Sequence, residues 1–427
     1  MLKEVRVQLF DMIMCLSNAL DLVNKDVVDH HKRVAYIATS IAAEAGLSKD
    51  DQNDIFMAGA MHDIGAITLA EKLKLKHYNL EFAQSHAELG YILLKDFKPF
   101  SKIASVIRYH HIPWDNGKGK DHKGEKVPLA AHILHIADRI EVQIDRSKDV
   151  LGQVGRITDQ IRKDSGGKFI PQLVDAFLRV SGREYFWFDC TIPHLASVLS
   201  RSYKVVTMEL DHKQLLNMAR LFSQIVDFRS RFTATHSSGV ATNAESLARL
   251  SSFSSDDCEK MLIAGYLHDL GKLAVPAEIL DKKGPLTMDE LHIVRAHTYH
   301  TYRILENIDH LYDINVWGAF HHERLDGSGY PFHQTGEDMP LGARIMAVAD
   351  VLTATTEDRP YRAGMKKEQV VGILKQMGTK GLLDNNISLL AIDNYDELNE
   401  ARMVSQSSTS REFEGFWHKL TEIMMED

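Results

Sequence analysis

Two sets of seven side chains recur in this chain in the same order. His30, His62, Asp63, His86, His110, His111 and Asp138 are followed by His236, His268, Asp269, His297, His321, His322 and Asp350. Offsets between corresponding residues run only from 206 to 212, a drift that loop insertions account for, so the chain carries two copies of one scaffold. Imidazole nitrogens and carboxylate oxygens suit divalent Fe, Mn, Co, Ni or Zn, and the absence of thiolates from the set disfavours a structural zinc site. Five histidines and two aspartates are too many for one ion. Two ions fit if one carboxylate bridges them, and two ions roughly 3.5–4 Å apart suit phosphate-ester hydrolysis, because they clamp the phosphate oxygens and acidify a bound water. Lys272, four residues after His268, is expected one helical turn on, adding positive charge beside the phosphate. An isolated buried histidine is more often a core residue than a ligand, but seven recurring in register are not so explained.

The elements that must hold these groups read as helices. Met261, Ala264, Gly265 and His268 follow the i, i+3, i+4, i+7 rule, and Ala343, Met346, Ala347 and Asp350 share a face in the same way. A carboxylate on such an inward face is costly without a compensating cation. Glycine-rich segments at 117–128 and 327–340 lie between the histidine pair and the last aspartate of each copy, and read as loops over the sites. The expected fold is all-α, with two tandem helical domains at 1–205 and 206–427 and the junction near Tyr203 to Glu209. A terminal amphipathic helix closes the first, and a long helix beginning near Glu209 opens the second. The polar run from Ser405 reads as a short flexible loop before a last helix holding Phe416 and Trp417.

Composition narrows the function classes. A formal charge of −9 argues against wrapping DNA or RNA through many phosphate contacts, so a bound phosphate ester must be met by metal ions and a few local cations. The chain has 22 histidines, and ten are the repeated positions. Cys15, Cys190 and Cys258 are far apart in sequence and fit no metal spacing, which points to a reducing cytoplasm. Charges at Lys3, Glu4, Arg6, Asp11 and Asp21 interrupt the apolar N-terminal run, so neither a signal peptide nor a membrane span is expected.

From about Arg229 to Leu383 the chain resembles the HD-GYP family, a subgroup of the HD-domain phosphohydrolases. The motifs that carry the likeness are FTATHSSGVA, LHDLGKLAVP, ILDKKGPLTMDE, RAHTYH, HHERLDGSGYP, MPLGARIMAVADVL and EDRPYR. The resemblance implies an all-helical phosphodiesterase acting on a cyclic dinucleotide, either cyclic di-GMP or 3′,3′-cyclic GMP-AMP. It implies one metal held by His236, His268, Asp269 and Asp350, and a second held by the bridging Asp269 with His297, His321 and His322. It places Lys272 at the scissile phosphate, and Tyr330, Arg359 and Arg362 on the bases and second phosphate. Fe or Mn would be the ions. Two departures stand out: Phe232 replaces the glutamate of three-metal members, and Thr353 stands where the family commonly has an aspartate.

The first half is similar to an HD domain without the GYP loop. Its seven ligand types survive, but Ala66 replaces the lysine and HHIPWDNGKGK replaces HHERLDGSGYP. It is expected to regulate or to provide packing contacts, including contacts in a homodimer, with action on the linear product as the sharper alternative. For the whole chain the competing readings are a catalytically weak cyclic-dinucleotide receptor and an HD phosphohydrolase of other nucleotides.

Overall fold

The computed structural model describes residues 6–22, 29–66, 80–203, 208–227, 235–308, 310–358 and 363–425. They are helical almost throughout; the named strands are two residues long. Two compact units emerge, one spanning Gln8–Met208 and the other Glu209–Asp427 together with the described residues before Gln8. No described helix is long and apolar enough to cross a membrane. All three cysteines are buried and unbridged.

Each unit is built in the same way. In the first, His30–Glu44 packs against Lys49–Met61 and Leu129–Glu141; in the second, His236–Leu250 packs against Ser255–Leu267 and Leu341–Thr356. The two helices that lead to the histidine–aspartate doublets even begin alike. Ser48 accepts the backbone N–H of Asp51, and Ser254 accepts that of Asp257, so each satisfies a free donor of its first turn. The face periodicity read from sequence holds: Met261, Ala264, Gly265 and His268 are all buried, as are Ala343, Met346, Ala347 and Asp350.

Two glycines explain how the chain turns after each doublet. A Cβ on Gly271 would lie 1.9 Å from the carbonyl oxygen of His297, and one on Gly65 would lie 2.1 Å from that of His86. The segment after the doublet therefore slides directly under the helix that carries the third histidine. Thr301 completes the seam: its hydroxyl donates to the His268 carbonyl at 3.0 Å and accepts the Gly271 N–H at 2.9 Å.

The loop expected at Ser405 is not a loop. A single helix runs from Tyr395 to Met425 and carries both Phe416 and Trp417. Ser405, Gln406 and Thr409 of this segment make local and tertiary hydrogen bonds. The Thr409 hydroxyl donates to the Ser405 carbonyl at 3.2 Å, the Ser405 hydroxyl to the Ser238 carbonyl at 3.4 Å, and Gln406 to the Thr235 carbonyl at 3.1 Å. Packing against His236–Leu250 overrides the low helix propensity. Of the two loops expected over the sites, 117–128 contains a hairpin pairing Asp121–His122 with Glu125–Lys126, while 327–340 is irregular apart from one bridge between Asp326 and Thr335.

Candidate metal centres

In the second unit the seven predicted side chains converge. His236 opens its helix, His268 and Asp269 follow the end of Ser255–Leu267, His297 lies within Met288–Leu305, His321 and His322 follow Tyr312–Ala319, and Asp350 lies within Leu341–Thr356. His268 and His297 are fully inaccessible, and His322 is the most open of the set.

Asp269 occupies the middle. Its Oδ2 faces His268 Nε2 at 3.1 Å and His236 Nε2 at 3.9 Å, while its Oδ1 faces His297 Nε2 at 3.4 Å and His321 Nε2 at 4.0 Å. Each carboxylate oxygen thus serves a different pair of imidazoles. Asp350 closes the first group at 3.3 Å from His236 Nε2, and its other oxygen lies 3.9 Å from His322 Nδ1.

The outer ring nitrogens determine what the inner ones can do. Nδ1 of His268, His297 and His321 each meets the carbonyl three residues earlier, at 2.7, 2.6 and 2.7 Å. A carbonyl only accepts, so Nδ1 carries the proton and Nε2 presents a lone pair inward. His297 Nε2 and His321 Nε2 then face each other at 3.3 Å as two lone pairs. His268 Nε2 and Asp269 Oδ1 have no hydrogen-bond partner although both are buried. Converging, unpartnered lone pairs around a carboxylate fit a divalent cation and little else. Burial holds the pKa of His297 at about 4 and that of His322 at about 3, so both are neutral and ready to bind a metal.

His236 differs. Burial disfavours its charge, yet the carboxylates of Glu357 and Asp350 outweigh that and push its pKa up to about 10. Glu357 accepts Nδ1–H at 3.0 and 3.1 Å. Sequence reading missed this residue, although Asp350, Thr353 and Glu357 follow i, i+3, i+7 on one face. The departure at Thr353 is thereby explained. Its hydroxyl binds the Ala349 carbonyl and the Asn243 amide, and the carboxylate that orients His236 comes from Glu357, one turn on. In the first unit the corresponding carboxylate does sit three residues after the last aspartate: Glu141 accepts His30 Nδ1–H at 2.6 Å. Glu357→Ala is expected to weaken metal retention by about 10–100-fold, the usual cost of losing the group that orients a metal-binding imidazole. Adding Thr353→Asp should recover part of it; a chelator competition assay of the three proteins reads both.

Lys272 is not one α-helical turn beyond His268, because the helix stops at Leu267 and a 3-10 turn, Leu270–Ala274, follows. That geometry brings Nζ to 2.5 Å from Asp269 Oδ2. The Tyr330 ring lies beside that of His322, tilted by 38° with ring centroids 4.9 Å apart, and the Arg295 guanidinium is 5.1 Å from its ring centre. Its loop is clamped by Glu323, also missed in the sequence, whose buried carboxylate accepts the backbone N–H groups of Phe332 at 2.7 Å and Gln334 at 3.1 Å. Arg359, Arg362 and Phe232 lie outside the described residues.

The first unit repeats the centre around Asp63. Its Oδ1 faces His62 at 3.4 Å, His86 at 3.3 Å and His110 at 4.0 Å, and its Oδ2 faces His30 at 3.8 Å. Nδ1 of His62 and His110 bind the carbonyls of Gly59 and Ile107, as their counterparts do. One difference is internal to the centre: Arg139, for which the second copy has Val351, binds Asp138.

Two all-helical units, each gathering histidines around a central aspartate, define a tandem HD-domain protein. A family model described as an HD domain matches residues 27–143, and a second with the same description matches residues 220–387. The chain is 30% identical to the 3'3'-cGAMP-specific phosphodiesterase 1 of Vibrio cholerae, over 92% of this chain and 93% of that one. It is 26% identical to the 3'3'-cGAMP-specific phosphodiesterase 3 of the same organism, over 86% of this chain and 90% of that one. A cyclic di-GMP phosphodiesterase of Pseudomonas aeruginosa is 37% identical, over 37% of each chain. A solved cyclic GMP-AMP-specific phosphodiesterase of V. cholerae matches with a TM-score of 0.63 at 22% identity, covering 94% of this chain and 98% of that one. The chain belongs to the HD-GYP family of HD-domain proteins.

Proposed function

We propose that this protein is a metal-dependent phosphodiesterase that opens a cyclic dinucleotide at one 3′–5′ phosphodiester, leaving a linear dinucleotide with a 5′-phosphate. The observation that carries this reading is Asp269, with one carboxylate oxygen toward each of two imidazole pairs. His236, His268, Asp269 and Asp350 would hold one ion, and Asp269, His297, His321 and His322 the other, Fe or Mn by ligand type. When bound, such a pair supplies an acidified water and charge for the phosphate oxygens. Lys272, already drawn to the centre by Asp269, adds a cation beside the reacting phosphate, and Tyr330 offers a ring face to a base. Full-length relatives named for cyclic GMP-AMP favour that substrate, with cyclic di-GMP the second candidate. Domains at 1–205 and 206–427 divide the work, with turnover assigned to the second and a regulatory or packing role to the first.

Product analysis of the full chain with the three 3′,3′-cyclic purine dinucleotides, in Mn or Fe, tests the assignment. A receptor would bind without product; a general nucleotide hydrolase would prefer mononucleotides. His268→Ala should abolish turnover while His62→Ala should not, and the reverse pattern would move the activity to the first unit. Glu323→Ala should release the loop around Tyr330, costing about 1–3 kcal/mol of stability for the orphaned N–H groups. Its kinetic signature is a raised KM with a smaller change in kcat, measured beside a denaturation curve.

A further inference from the structure

Acidic side chains outnumber basic ones in this protein, 59 to 50, so its cations have carboxylates to spare. In the second unit Arg303 meets Glu306 at 2.6 Å and Arg344 meets Asp384 at 3.3 Å. Arg295 lies two turns before Arg303 on the same helix, yet among the described residues it pairs with no carboxylate, and neither does Arg324. The Arg295 guanidinium is held instead 5.1 Å from the centre of the Tyr330 ring, a contact that steadies the cation without using any of its N–H donors. Arg324 donates from Nη1 to the Glu323 carbonyl at 3.3 Å, while the Glu323 carboxylate is taken by the N–H groups of Phe332 and Gln334. Its positive charge acts on both His322 and Tyr330.

Both cations stand on the accessible side of the metal centre. The side chain of His322 is 24% exposed, Tyr330 lies beside it, and Arg295 is exposed. Arg295 precedes His297 by two residues, a spacing at which helical side chains do not share a face, so it turns toward the loop of Tyr330 rather than toward the metal ligands. Lys272 stands on the inner side, 2.5 Å from Asp269 Oδ2, where the reacting phosphate is assigned. The first copy has no equivalent of the outer pair. At the 211-residue offset that relates His86 to His297 and His110 to His321, Gln84 and Pro113 stand in place of Arg295 and Arg324.

We infer that Arg295, steadied on the Tyr330 ring and assisted by Arg324, binds the phosphodiester that is not cleaved, and so makes the second unit select a substrate with two phosphates over a simple diester. The inference rests on the reading of this unit as a cyclic-dinucleotide phosphodiesterase. Such a ring carries two phosphodiesters, and placing one at the metals leaves the other, equally charged, outside the ligand set. A guanidinium fork matches its two non-bridging oxygens, and a guanidinium with no carboxylate to leave pays no ion pair to bind it. Arg295 and Arg324 are additional to Arg359 and Arg362, the cations that the family resemblance places on the bases and second phosphate.

The test compares 3′,3′-cyclic GMP-AMP with bis(p-nitrophenyl) phosphate, a diester with one phosphate, on the full chain and on Arg295→Ala and Arg295→Lys. In Arg295→Ala the ratio of kcat/KM for the cyclic dinucleotide to that for the simple diester should fall about 10–100-fold, the scale of a lost charge-assisted hydrogen bond, and the fall should lie in KM. Arg295→Lys should recover part of it, since the charge stays and the fork does not. Metal content should match the parent in both variants. An unchanged ratio in Arg295→Ala, or a loss of metal that lowers both activities together, would overturn the proposal. Equilibrium binding of the dinucleotide, read beside turnover, separates this inference from the assigned reaction. A parent that binds without hydrolysing ends the reading of the reaction, while weaker binding by Arg295→Ala would still support the role of Arg295; a parent that neither binds nor hydrolyses ends both.

Discussion

Asp269→Ala should remove phosphodiester hydrolysis from the full chain, by roughly 10³-fold or more in kcat, the scale seen when a preorganised charged group is lost from an active site. The carboxylate lies between the imidazoles on both sides of the centre, at 3.1 to 4.0 Å. Burial opposes its charge, but His268, Lys272 and His297 outweigh that penalty and hold its pKa well below the usual carboxylate range, so the charge is present at every working pH. Without it, lone pairs of His268, His297 and His321 converge with no carboxylate between them, and Asp350 alone is left to balance the cations. Asp269→Asn preserves the shape but not the charge, and it should fail in the same way, with a parallel fall in bound metal. Turnover and metal content measured together check this; an Asn variant that retains both would show that the bridging charge is dispensable.

Gly271→Ala is the second large effect, and it acts through the backbone. The added methyl would meet the His297 carbonyl at 1.9 Å and the Thr301 nitrogen at 2.7 Å, both main-chain atoms of one helix. Neither can rotate away. The helix must therefore move outward, at a cost of about 1–3 kcal/mol or more for overpacking, and it carries His297 with it. The expected result is a lower unfolding midpoint together with lost metal retention in the second unit. Gly372→Ala is the control: it lies in a helix with open space around the added methyl and should be neutral or slightly stabilising. Denaturant melts of the two variants, with chelator competition alongside, separate a local clash from general sensitivity to substitution.

The ligand constellation is legible in the amino-acid order because duplication makes spacing informative. His30 to Asp138 and His236 to Asp350 pair residue by residue, and helical periodicity places His268 and Asp350 on inward faces. Local rules are weaker where tertiary partners decide. The Ser405 segment reads as a loop on propensity, but Gln406 and Ser405 spend their polar groups on Thr235 and Ser238, which are distant in sequence. Counting α-helical turns misplaces Lys272, because the close approach under His297 forces a tighter turn.

By itself the sequence determined the helical class, the two copies and the identity of the candidate ligands, since these follow from residue types and intervals along the chain. Only the tertiary structure decided how the ligands divide. That Glu357 orients His236, that Glu323 clamps the loop of Tyr330, and that Arg139 binds Asp138 depend on side-chain directions at helix ends. Such directions are set by packing between elements, and no interval in the sequence encodes them.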